Sequence, residues 1–319
     1  MLPTSLFGSL IFYFYTMEFG RVTEKELNSI DFKLPAEPAG NAGILKAGKK
    51  SATKQQVYFG CAKWGRKEWV GKIYPKGTRE AQFLDHYVHH YNSIELNATH
   101  YKINTPAEIK RWADKAAGLH FKFCPKVPQL ISHYSQFKNT DQLTTSFLEA
   151  ILAFGDHLGP VFLQVSDKYS PNRRDVLYEY LASLPTDVQF FLEVRHPDWF
   201  ADKAIMNELL QTLQNHNIGF VITDTAGRRD CAHMHLTIPK AFIRYVGNSL
   251  HPTDHTRTDD WMARMKYWLD QGIEEIYFFM HMHEEATSPE LTVYMVDKMN
   301  KDYGMNLIKP KFDGGERLF

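Results

Sequence analysis

Apolar residues come in short runs separated by longer amphipathic stretches, and from Gln56 onward the alternation is regular. The runs at 57–61, 93–97, 120–124, 161–165, 188–194, 218–223, 241–246 and 276–280 predict eight strands. Most are apolar at consecutive positions, as strands buried on both faces require. Between them the apolar spacing lengthens to a helical period. It predicts helices over 79–91, 106–117, 140–157, 173–184, 202–216, 258–271 and 288–301. Residues 225–240 carry no helical period. Apolar strands alternating with helices imply parallel βαβ units, and eight of them predict an α/β fold of the (β/α)8 TIM-barrel type. An open doubly wound sheet is the competing architecture. It usually begins on a glycine-rich turn, whereas strand one runs into Gly60-Cys61-Ala62-Lys63-Trp64 with no Gly-x-Gly-x-x-Gly. The expected organisation is an irregular leader over 1–55 packed on the barrel exterior, a barrel over 56–303 and a polar tail over 304–319.

Charge narrows the partners. Lys+Arg and Asp+Glu each total 37, so formal net charge is zero with histidine neutral. No global basic field argues for nucleic acid, and any anion site must be local. Three cysteines, Cys61, Cys124 and Cys231, are too few for a disulfide framework and lack zinc spacing, which suits reduced thiols in the cytoplasm. The first 15 residues are apolar and contain no Lys or Arg. They are too short to span a bilayer and lack the parts of a secretory signal. They are read as an artefact of gene calling, with Met17 as the true start. No membrane association is expected.

The chemistry gathers at the predicted strand ends, where barrels of this type carry their active sites. Strand two ends with Glu95 and Asn97, strand three is followed by Lys126, and strand four carries Gln164. Strand five ends in Glu193, Arg195 and His196, followed by Trp199. Strand six ends at Asp224, strand seven carries Arg244, and strand eight ends with His281 and His283. Glu193 and Arg195 sit two apart, so on a strand both leave the same face. An interior Arg244 needs a carboxylate or an anionic ligand beside it. Polar residues that merely satisfy one another would explain two or three such positions, not seven strands of eight. Glu95, Glu193 and Asp224 are the candidate catalytic groups. Asn97, Lys126, Gln164, Arg195, His196, Trp199, Arg244 and His281 are the candidate binding groups. Trp64, Trp69 and Tyr101 join Trp199 as aromatic walls for a pocket, or as plugs of the barrel mouth.

At this point the chain resembles the YecE-like family, also known as domain of unknown function 72. The matching segments are Trp64-Gly65 with Trp69-x-Gly71-x-x-Tyr74-Pro75, Ile94-Glu95-Leu96-Asn97, Phe121-Lys122-Phe123-Cys124-Pro125-Lys126 and Gly159-Pro160-Val161-Phe162-Leu163-Gln164. The most specific is Glu193-x-Arg195-His196-Pro197-x-Trp199. The resemblance covers residues 57 to about 300. It implies a TIM-type barrel and brings no established biochemical activity. His100 stands where the family commonly has an aromatic residue, and Met280-His281-Met282-His283 replaces a common Phe-Asn-Asn.

The expected function is an enzyme acting on a small polar anion. Lys126, Arg195 and Arg244 would hold a phosphate or carboxylate, and Glu95 and Glu193 would divide acid and base work. No cofactor is required. The first alternative is a metal-dependent hydrolase or isomerase with a divalent ion on Glu193, Asp224, His281 and His283. The second is a non-catalytic barrel that binds a ligand or nucleic acid, which the neutral charge disfavours.

Overall fold

The computed structural model describes residues 19–49 and 54–313. The apolar run at 1–16 and the end of the tail lie outside them. Eight strands form: β1 (Gln56–Cys61), β2 (Ser93–Leu96), β3 (Lys122–Pro125), β4 (Val161–Gln164), β5 (Phe190–Glu193), β6 (Gly219–Asp224), β7 (Lys240–Gly247) and β8 (Glu275–Met282). Each falls on a predicted apolar run, and every pairing is parallel.

The ladders do not form the expected continuous ring. Six strands make one curled, open sheet in the order β1-β8-β7-β6-β5-β4, and β2 pairs with β3 alone. The fold is therefore mixed α/β with a curled parallel sheet, a half-barrel rather than eight laddered strands. Between β3 and β4 only isolated bridges remain, Phe123 with Leu158 and Lys126 with Phe162. Between β1 and β2 side chains stand in for the ladder. Asn92 Oδ1 accepts from the Phe59 amide at 2.7 Å, and Asn92 Nδ2 donates to the Val57 carbonyl at 2.9 Å. The Tyr87 hydroxyl accepts from the Cys61 amide at 2.8 Å and donates to the Ser93 carbonyl at 3.0 Å. The strands approach so closely that a Cβ on Gly60 would lie 2.2 Å from the Ser93 oxygen.

Two helical stretches differ from expectation. Residues 79–91 hold only a 3-10 turn, Glu80–Gln82, and a short helix, Phe83–Tyr87. The helix expected at 258–271 begins earlier, as Pro252–Gln271. Pro252 takes the first turn, where its missing N–H costs nothing. Asp254 faces inward and accepts from the amides of Asn248 and Leu250. The leader also contains helices, Glu24–Leu27 and Asn41–Lys49. It packs on the β6–β7 connection and on the helix Pro252–Gln271: Asn41 bonds to the backbone of Met234 and Leu236, and Glu37 meets Arg264 and the Trp268 indole. Among the described residues no helix is long and apolar enough to cross a membrane.

Strand alternation stacks the interior in layers. A lower layer is apolar and mostly aromatic: Tyr58, Phe162, Phe191, Val221, Phe242 and Phe279 pack together with Cys124. Two residues further along the same strands, the same face becomes polar. Phe162 gives way to Gln164, Phe191 to Glu193, Val221 to Thr223, Phe242 to Arg244 and Phe279 to His281. The apolar layer thus seals the floor on which a charged layer sits.

Candidate functional site

Arg244 is the centre of that charged layer. Its Nε and Nη2 reach the two oxygens of Glu95, each at 2.8 Å, and its Nη1 reaches Glu193 Oε2 at 2.8 Å and Oε1 at 3.0 Å. Glu95 also accepts from Asn97 Nδ2 at 2.8 Å and meets His281 Nε2 at 2.9 Å. An ionised carboxylate only accepts, so His281 donates to it from Nε2. Glu193 accepts in addition from Arg195 Nε at 2.8 Å and Thr223 Oγ1 at 3.0 Å. All of these groups are buried except Asn97, which is half-buried.

Burial alone would raise both carboxyls, but the charges and hydrogen-bond donors around them outweigh it. Arg244 and His281 hold Glu95 well below the usual carboxylate range. Arg195, Arg244 and Lys126 hold Glu193 at about 2. Both acids are therefore anions, and each accepts four hydrogen bonds among the described residues. A carboxylate offers about four lone-pair sites, so little acceptor capacity is left for a substrate proton. The expected division into one acid and one base does not arise: both pKa values move down together, because one guanidinium serves both.

Above the network opens a cavity of about 600 Å³ at the C-terminal ends of the strands. Asn97, Lys126, Gln164, Arg195, Arg244 and His281, six of the candidate binding groups, line it. Lys126 Nζ donates to Gln164 Oε1 at 2.8 Å and lies 5.6 Å from the centre of the Phe162 ring. Burial, and then the charges of Arg244 and Arg195, push its ammonium down to about 7. Arg195 spends its Nε on Glu193, and no hydrogen bond among the described residues engages its two terminal nitrogens.

Several predicted residues lie elsewhere. Asp224 follows inward-facing Thr223, so alternation turns it outward. There it takes the Trp261 indole at 2.6 Å, Arg257 at 2.9 Å and Arg229. Asp224 is a fastener between β6 and the helix Pro252–Gln271, not a member of the site. Trp199 is fully buried and donates to the Tyr169 carbonyl at 2.8 Å, so it packs rather than binds. His196 turns back to the Asp198 amide at 3.3 Å and does not line the cavity. The alternative metal set of Glu193, Asp224, His281 and His283 is not assembled. Asp224 faces away, Glu193 is taken by two arginines, and His283 lies past the end of β8. Among the described residues no group of three or more His, Cys, Asp or Glu is placed to hold a metal ion. Of the aromatic residues, Tyr101 lines the cavity, while Trp69 is buried and donates to the Glu285 carbonyl.

The cavity also contains residues the sequence reading missed. His100 and His133 meet edge to face at 5.0 Å, and burial beside Lys126 lowers them to about 3 and about 4. His133 sits in a π-turn, Leu130–Tyr134, which has no periodic signature. Lys63, Arg66 and Glu285 form a further wall. Burial raises Glu285, which faces Arg66 at 3.5 Å. Thr223 was within reach of the sequence: a period-two reading from Val221 would have found it.

A curled parallel α/β sheet with a charged layer at its strand ends and a polar cavity above defines the class of protein. More particularly, the chain belongs to the family described as Protein of unknown function DUF72, whose model matches residues 58–313. It is similar to UPF0759 protein YecE of Escherichia coli K12, 27% identical over 263 residues, covering 77% of this chain and 93% of that protein. Among solved structures it is similar to a DUF72 family protein of Enterococcus faecalis V583, with a TM-score of 0.57 and 14% identity over 83% of this chain and all of that one. A DUF72 family protein of Thermotoga maritima MSB8 also has a TM-score of 0.57, at 19% identity over 77% of this chain and all of that one. At these identities the structural likeness speaks for the fold alone.

Proposed function

We infer that this protein is an enzyme acting on a small polar anion, phosphate- or carboxylate-bearing, held in the cavity by Arg195 and Lys126. The observation that carries the reading is the contrast between these two groups and the layer beneath them. Glu95, Arg244 and Glu193 satisfy one another, whereas Lys126 Nζ and the terminal nitrogens of Arg195 face the cavity with few protein partners. Proton transfer then falls to Lys126, whose ammonium titrates near neutrality where an acid–base group works best. Glu95 and Glu193 act as scaffold: together they fix Arg244, and Glu95 orients the His281 ring. The reading treats the strands as a closed (β/α)8 ring spanning 56–303, with the cavity at its mouth. The isolated bridges on one side and the Asn92 and Tyr87 links on the other support this. It also places the chemistry in the cytoplasm, in keeping with three free, buried thiols.

The test pairs calorimetric titration of inorganic phosphate, sugar phosphates and hydroxy acids with NMR detection of deuterium uptake by each compound in D2O. Arg195→Ala is expected to weaken binding at least about tenfold, the value of one charge-assisted contact. Lys126→Met is expected to abolish exchange. Absence of binding by every anion at low ionic strength would sink the reading.

A further inference from the structure

The cavity wall includes one residue from far upstream. Phe19, on the leader, lines the same cavity as Lys126 and Arg195. The Arg195 guanidinium carbon lies 4.1 Å from the centre of the Phe19 ring, and that of Arg228 lies 5.3 Å away. The backbone holds the ring there. The Gly227 amide donates to the Gly20 carbonyl at 2.7 Å, and the Thr225 hydroxyl lies 3.2 Å from the carbonyls of both Phe19 and Gly20. Gly20 adopts φ 71°, and a Cβ there would stand 2.4 Å from the Thr225 side chain, so the docking point is built for glycine. Residue 19 lies outside the stretch matched by the family model, which begins at residue 58, so the family likeness does not by itself supply this contact.

We propose that Phe19 is a positioning residue for the anion: its ring braces the face of the Arg195 guanidinium and keeps the unbonded edge of that group turned into the cavity. The proposal rests on the anion-binding reading above. Among the described residues Arg195 is otherwise hydrogen-bonded only through Nε to Glu193, a single point about which the guanidinium pivots. A ring stacked on its face removes that freedom, and the negative quadrupole of the ring favours the cation without consuming an N–H donor.

The experiment is calorimetry of the full chain with inorganic phosphate at low ionic strength, comparing wild type with Phe19→Ala, Phe19→Leu and Phe19→Tyr. Phe19→Leu keeps the bulk and loses the quadrupole; Phe19→Tyr keeps both. The expected result is binding about tenfold weaker for Ala and Leu and close to wild type for Tyr, with unchanged melting temperatures. Rescue by Tyr but not Leu separates bracing of a cation from simple filling of space. If wild type binds phosphate and the Ala and Leu variants bind equally well, the proposal is overturned while the anion reading stands. If wild type binds no phosphate, the anion reading falls and takes this proposal with it.

Discussion

Lys126 shows how neighbours reset one residue. The ammonium is buried beside two guanidiniums, so its proton is held weakly. The folded value of about 7 lies below the ordinary 10.5, so between these limits the unfolded chain binds the extra proton. Stability contributed at this position therefore rises as pH climbs from about 7 towards about 10.5. Urea midpoints across that window should rise more steeply for wild type than for Lys126→Met. Acylation followed by mass spectrometry should find Lys126 reacting with a midpoint near 7. Glu193 works in the opposite pH range. Its folded value is depressed, so its contribution is present above the unfolded value of about 4.5 and is lost as pH falls towards about 2. Glu193→Gln should flatten the acid limb of the stability curve. Arg244→Met leaves two buried carboxylates without their shared cation, at a cost of about 3–5 kcal/mol by chemical denaturation. The sequence revealed that Arg244 needed a carboxylate or an anionic ligand. It could not reveal that the same guanidinium would engage both glutamates, because that depends on strands far apart in the chain.

Elements set what could be read in advance. Strands were legible as short apolar runs buried on both faces, and on the inward face of β4 to β8 Phe or Val gives way two positions on to Gln, Glu, Thr, Arg or His. Asp224 was misassigned for the same reason: one position along a strand reverses the face, and proximity to a strand end does not show which face a side chain takes. Loops carry no such period, so His133, Glu285 and Phe19 gave no signal. The early start of the helix Pro252–Gln271 was hidden by a polar first turn, Thr253-Asp254-His255-Thr256, that reads as loop. Asp254 explains that start, since it satisfies loop amides before the helix begins. Asp254→Ala would orphan these half-buried donors and the Arg257 contact beside them. It should cost about 2–3 kcal/mol, measured as a shift in denaturant midpoint at constant slope.

At the scale of the whole molecule, backbone ladders hold the six-stranded sheet and the β2–β3 pair, and the side chains of Asn92 and Tyr87 link β1 to β2. Gly60→Ala forces a Cβ into the Ser93 carbonyl and should lower the melting temperature severely, since backbone on both sides has to move. Asn92→Ala removes both bridges from Asn92 and should destabilise less, leaving the Tyr87 links in place. Ladder amides are released only when neighbouring strands part, but the amides of Phe59 and Cys61 answer to a carboxamide and a phenol. Their solvent-exchange clocks should therefore be set by rotamer hops rather than by strand separation. Tyr87→Phe should speed the clock of Cys61 while leaving that of Phe59, one hydrogen bond away on the same strand, to keep its own time.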